Sequence, residues 1–146
     1  MRYAAVSGAI LLAAAGLIAT YVVVPPAHIG SGPVCITAAR PLARLELLFG
    51  STRKDLTPIG EEEWAAFMAA EITPRFPDGL TILTGYGQWR GATGTIVKET
   101  SCLLLIWYAP AADSDSRIEA IRTAYKARFG QESVLRADGA PACVSF

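Results

Sequence analysis

Residues Leu80–Tyr108 read LTILTGYGQWRGATGTIVKETSCLLLIWY, two runs rich in β-branched, aromatic and aliphatic residues around the short turn Gly91-Ala-Thr-Gly94. That pattern predicts a β-hairpin of Leu80–Arg90 with Thr95–Tyr108. Upstream, Glu61, Glu62 and Glu63 suit a helix N-terminus, where carboxylates meet the positive end of the dipole. Trp64, Phe67, Met68 and Ile72 follow at i, i+3, i+4 and i+8, one apolar stripe, until Pro74 and the turn Phe76-Pro-Asp-Gly79. Ahead of the polar loop Gly50–Gly60, Leu42–Phe49 alternates: Ala43, Leu45, Leu47 and Phe49 on one face, Arg44 and Glu46 on the other.

Downstream, Asp113–Ser116 supply cap residues, and Ser116-x-x-Glu119 matches a capping box. Ile118, Ile121, Tyr125 and Phe129 form the buried face of a second helix, with Gly130 in the C′ position. Ser133–Arg136 and Ala142–Phe146 supply a last strand, interrupted near Asp138-Gly139. The order β-α-β-β-α-β predicts a ferredoxin-like α+β sandwich, two helices on one face of a four-stranded antiparallel sheet. The other face needs a cover, such as a dimer partner or a ligand.

The chain has 146 residues, 52% of them hydrophobic, with 13 basic and 13 acidic side chains. Zero net charge excludes the basic surplus of a nucleic-acid binder. The apolar excess is concentrated at Ala4–Val24, which has no charged residue. As a helix these residues span about 31 Å, enough for a hydrocarbon core of ~30 Å. Residues 1–24 are therefore expected to be an uncleaved membrane anchor, with Arg2 on the cytoplasmic side. A cleaved signal peptide is the alternative. Both readings export the rest: a Pro/Gly-rich linker over 25–41 and a folded domain over 42–146. Inner-membrane anchoring with a periplasmic or extracellular domain is the expected location, and periplasmic or secreted protein the alternative.

Three cysteines in an exported chain imply one pair and one free thiol. Cys102 lies in an apolar run and reads as a buried small hydrophobe. Cys35 and Cys143 stand near the two ends of the folded region and are expected to pair. Closing that loop of about 108 residues is worth up to ~4–5 kcal/mol in the chain-entropy model.

His28, the one histidine, falls in the linker, which removes the domain from Ser-His-Asp, Cys-His and multi-histidine metal chemistry. No Walker loop, G-x-G-x-x-G or C-x-x-C spacing is present, so no cofactor or metal is expected. Strand geometry puts Tyr86, Gln88 and Arg90 on one face, with Lys98 or Glu99 opposite them on the next strand. Tyr86, Gln88, Arg90 and Glu99 are the candidate ligand-binding set, with Arg90 suited to a carboxylate. The competing reading makes them surface residues of a sheet. Glu71 and Arg75 read as an i, i+4 ion pair. Gly50–Lys54 and the basic residues Arg117, Arg122, Lys126 and Arg128 read as solvated.

Several blocks carry a family resemblance: Leu45-Glu-Leu-Leu-Phe-Gly50, Glu63-Trp64-x-x-Phe67, Ile72-Thr-Pro-Arg-Phe-Pro-Asp-Gly-Leu80 and Gly87-Gln-Trp-Arg90. Further ones are Ile96-Val-Lys-Glu99, Ala124-Tyr-Lys-x-Arg-Phe129, Gln131-x-Ser-Val134 and Cys143-Val-Ser-Phe146. Over about residues 35–146 the chain resembles the bacterial domain of unknown function 3574 family, small exported proteins without an assigned activity. The resemblance implies a cysteine before the first strand and one near the C-terminus, matching Cys35 and Cys143. Residue 102, often basic in the family, is a cysteine here.

The expected function is a non-enzymatic, membrane-tethered envelope domain that binds itself, a partner protein or a small ligand through the open sheet face. The alternative is a small, metal-free and histidine-free α+β-barrel-type enzyme acting on a small anionic or polar substrate.

Overall fold

The computed structural model describes residues 33–36 and 38–146. The expected anchor (residues 1–24) and most of the linker lie outside the described residues, among which no helix is long and apolar enough to cross a membrane. The elements are β1 (Arg40–Gly50), α1 (Glu61–Phe67) continued by a π-helical turn (Met68–Ile72), β2 (Thr81–Arg90), β3 (Ile96–Tyr108), α2 (Ser114–Phe129) and β4 (Leu135–Val144).

The sheet order is β2-β3-β1-β4, and every neighbouring pair is antiparallel. Thus β1 and β2 run parallel with β3 between them, and β3 and β4 run parallel with β1 between them. Each helix is the crossover of one such split βαβ unit. The hairpin predicted from Leu80–Tyr108 forms, and it supplies the inner strand β3.

Register assigns every side chain a face. On the helix side, Leu45, Leu47 and Phe49 of β1 stand beside Ile106, Leu104 and Cys102 of β3. Ile118, Ile121, Tyr125 and Phe129 of α2 pack onto them with Phe67 and Ile72, all buried. Phe49, Phe67 and Tyr125 meet edge-on, with ring centroids 4.6–6.3 Å apart, an arrangement aromatic quadrupoles favour. The Tyr125 hydroxyl donates to the Gly50 carbonyl at 2.8 Å, and burial pushes its pKa well above the usual phenol range.

Three local readings differ from the sequence expectation. The first helix changes pitch: the Thr73 N–H donates to Met68 O, five residues back, at 2.9 Å. The wider turn brings Ile72 onto the face of Phe67, five residues apart, which a regular 3.6-residue turn would set well aside. In α2 the Ser116–Glu119 capping box does not form. Ser116 Oγ donates to Asp113 O, and Glu119 binds Arg122 and Arg136 instead. β4 is one strand with a bulge, since Leu42 pairs Ala142 while Arg44 already pairs Gly139. Pro141 is tolerated there because β4 is an edge. The C′ glycine is as expected, Gly130 at φ 67°.

Arg117 and Arg122 are not solvated. Arg117 donates to Arg75 O at 3.0 Å and lies over the Phe76 ring, tying α2 to the turn after α1. Arg122 donates to Val134 O at 2.8 and 3.1 Å, fixing the entry to β4. Glu71 and Arg75 pair as read, at 2.9 Å.

Cys35 and Cys143 form a disulfide with a Cα separation of 5.5 Å, pinning the segment before β1 to the end of β4. The bridge closes 108 residues. Replacing both cysteines by serine is expected to lower unfolding free energy by up to ~4–5 kcal/mol, measured by denaturant titration of the oxidised and doubly substituted chains.

Bonds from Arg122 and then Arg136 hold the Glu119 carboxyl below the usual carboxylate range. Such a group stabilises the fold above its unfolded-state pKa of ~4.3, and that contribution is lost as pH falls through the lower folded value. Glu119→Gln is therefore expected to narrow the difference in Tm between about pH 6 and about pH 3.

Candidate functional site

Among the described residues, helices cover one sheet face only. On the other, Leu135, Leu48, Leu103 and Leu83 form an apolar row across all four strands. Toward the hairpin tip the next row is Gly50, Ser101 and Gly85, nearly devoid of side-chain bulk. Small residues beneath a wall of leucines leave a recess of about 230 Å³, bordered by Leu48, Leu135, Gly87, Trp89, Glu99, Gln131 and Ser133.

Glu99 is the charged group of this recess. It is half-buried; Oε1 accepts the Trp89 indole N–H at 2.9 Å and Oε2 accepts the Thr52 backbone N–H at 3.1 Å. These two donors come from the hairpin and from the loop that leaves β1, so the carboxylate joins separate segments. Glycine makes room for it. A Cβ on Gly50 would stand 2.5 Å from Glu99 Oε1, and one on Gly87 would stand 3.1 Å from Ser101 Oγ.

The Gly50–Lys54 loop, read from sequence as solvated, is fastened on both sides. Thr52 donates to Glu99 and accepts from Gln131 Nε2 at 2.7 Å. Arg53 bonds Glu63 and Pro58 O. Glu63 also accepts the Gly60 N–H at 3.1 Å, joining the loop to the start of α1.

The four predicted site residues do not share a face, although Tyr86, Gln88 and Glu99 line one shallow concavity along the β2–β3 pair and Gln88 also borders the recess. Tyr86 is opposite Thr100, Gln88 opposite Lys98 and Arg90 opposite Ile96, all with their side chains on the helix side of the sheet plane. Glu99 is opposite Gly87 and projects to the other side with Trp89. The physical reason is the two-residue strand period: of the adjacent Lys98 and Glu99, only Lys98 joins the Tyr86 face. That end of the hairpin extends past the last pair of β1, so Tyr86 is 99% exposed. The side chains of Tyr86, Gln88, Arg90 and Lys98 bond no other described residue. The recess adds Gly50, Ser101, Gln131 and Ser133, which sequence reasoning missed. The small residues across from one another were the available signal, but reading it needs the strand register.

A second concavity, about 430 Å³, opens on the helix side among Trp64, Tyr125, Ile82, Thr84 and Cys102. Cys102 is free and half-buried, and burial pushes its thiol pKa up, which keeps it protonated and poorly nucleophilic. Among the described residues no cluster of His, Cys, Asp or Glu is suited to a metal ion.

Among the described residues, an α+β sandwich with one sheet face free of helices and a single carboxylate in its recess defines the class of protein. The chain belongs to the family described as protein of unknown function (DUF3574), whose model matches residues 44–146. No curated protein sequence matches it. Among solved structures it is similar to a phage SAM lyase in complex with S-methyl-5′-thioadenosine, at a TM-score of 0.60 and 14% identity. That match covers 78% of this chain and 97% of the lyase chain. A structure of a phage SAM lyase in its apo state matches over the same shares at a TM-score of 0.55 and 16% identity. At such identities the likeness establishes the fold.

Gly50→Ala is expected to push the Glu99 carboxylate off its donors, moving the Trp89 indole N–H resonance and costing ~1–3 kcal/mol. Gly85→Ala, on the same row but with nothing within 4 Å of its Cβ, is expected to leave that resonance in place.

Proposed function

We propose that this protein is an exported envelope domain that binds a small ligand in the recess on the helix-free face of its sheet. One observation carries the reading: Glu99 is held by Trp89 and Thr52 beside a floor of Gly85, Gly87 and Ser101 that carries little side-chain bulk. A partly apolar concavity with a few fixed polar groups is the usual form of a small-molecule site. The Cys35–Cys143 bridge supports export, because such bonds persist in oxidising compartments. The apolar segment 4–24 supports a membrane tether with the domain on the periplasmic or extracellular side. Around the recess, Leu83 and Leu135 remain 55% and 54% exposed, which leaves room for a second copy or an envelope protein on the same face.

A second reading is an enzyme acting on a small polar substrate. It is favoured by the fold shared with the phage SAM lyase over 97% of that chain. In this reading Glu99 is the candidate acid or base, and the domain works without histidine.

Native mass spectrometry of the unreduced full-length chain, extracted from host envelopes, tests the proposal. A retained mass of a few hundred daltons, absent from Gly87→Leu (whose side chain enters the recess), is the expected result. A mass retained equally by both chains would place the ligand elsewhere, and the bare polypeptide in both would argue against a small-ligand site.

A further inference from the structure

The recess has a charge that its own walls do not balance. Its border carries one acidic side chain, Glu99, and no lysine, arginine or histidine. Both donors to the carboxylate, an indole N–H and a backbone N–H, are neutral. Of the basic residues nearby, Lys98 projects from the other side of β3 and Arg53 is bonded to Glu63 while lying over the Phe129 ring. Arg53 and Lys54 border the adjoining concavity that Trp89 and Glu99 also line, and neither pairs with Glu99. Glu99 makes no ion pair with any other described residue.

A carboxylate offers about four acceptor positions. Two are taken here, one on each oxygen, so each oxygen keeps capacity for another donor. Beside it lies the Trp89 indole, and behind it the leucine row. A carboxylate beside an indole and apolar walls attracts a positive charge and repels a negative one. Resting on the reading of the recess as a small-ligand site, we infer that its ligand is an organic cation: a protonated amine on an apolar body. The ammonium N–H groups bind Glu99 and the body lies along Leu48, Leu103 and Leu135. This reverses the polarity assigned from sequence, where Arg90 was set to receive an anion; Arg90 stands on the opposite face.

Three probes of one shape separate charge from shape: phenethylammonium, 2-phenylethanol and 3-phenylpropionate, each titrated into the full-length chain in a nonionic detergent. The readout is the NMR resonance of the Trp89 indole N–H, assigned by its loss in Trp89→Phe. Phenethylammonium is expected to shift it saturably and to bind at least about tenfold tighter than the alcohol, with the carboxylate weakest. In Glu99→Gln, which keeps a carbonyl acceptor for Trp89, that preference is expected to vanish while the remaining spectrum stays folded. Saturable binding of the alcohol or the carboxylate as tight as that of the amine would overturn the cation assignment but leave the recess a ligand site. No shift with any of the three would overturn both. An amine preference that survives Glu99→Gln would also overturn the assignment to this carboxylate.

Discussion

Gly50 is touched from two directions, and the molecule is organised around that contact. Its carbonyl accepts the buried Tyr125 hydroxyl from α2, and its bare α-carbon lies against the Glu99 carboxylate. The first bond fixes how α2 sits over the end of β1. The second fixes where β1 leaves the sheet, because any side chain at residue 50 would fill the position of the carboxylate. Phe49 immediately before it is buried among Trp64, Phe67 and Tyr125, so the backbone cannot shift without disturbing the aromatic core. Core and recess are therefore joined through one residue without a side chain.

The order of elements was legible because each long segment carries one clear period. The buried positions Ala43, Leu45, Leu47 and Phe49 and the i, i+3, i+7, i+11 spacing of Ile118, Ile121, Tyr125 and Phe129 both survive in the structure, with Leu42 buried as well. Elements with a broken period were harder. The step from Phe67 to Ile72 fits a helix only when one turn widens to π, and no residue type in Met68–Ile72 announces that. In β4, Asp138-Gly139 resembles a break. The structure keeps the strand because a bulge at an edge accommodates Gly139 against Arg44 and leaves Pro141 without a ladder bond to lose.

The recess was less legible than the fold for a related reason. A strand sequence shows which residues share a face but not how neighbouring strands are aligned. A shift of one residue in the hairpin would exchange Lys98 for Glu99 beside Tyr86. The turn Gly91–Thr95 sets that alignment, closing with Gly91 N–H to Thr95 O at 2.9 Å and Gly94 at φ 85°. Once Arg90 is set opposite Ile96, Glu99 must lie opposite Gly87, on the side of Trp89. The residues of the 51–54 and 130–133 loops come to the same place only through long-range bonds, Thr52 to Glu99 and Gln131 to Thr52. Nothing in a linear reading joins positions so far apart.

The distribution of arginines explains why a neutral chain can still present a locally negative site. Arg75, Arg117 and Arg122 donate to backbone carbonyls near helix ends, and Arg136 bonds Asp115, Glu119 and Asp138. Arg53 is bound at the start of α1. Most of the guanidinium charge thus serves to hold helices, loops and β4 together on the helix side. On the opposite face Arg44 pairs with Glu46 and lies near Trp107, at the far end from the recess. Glu99 forms an ion pair with none of these cations and is supported by two neutral N–H groups. Glu99 thus stands without an ion pair on the sheet face that no described helix covers.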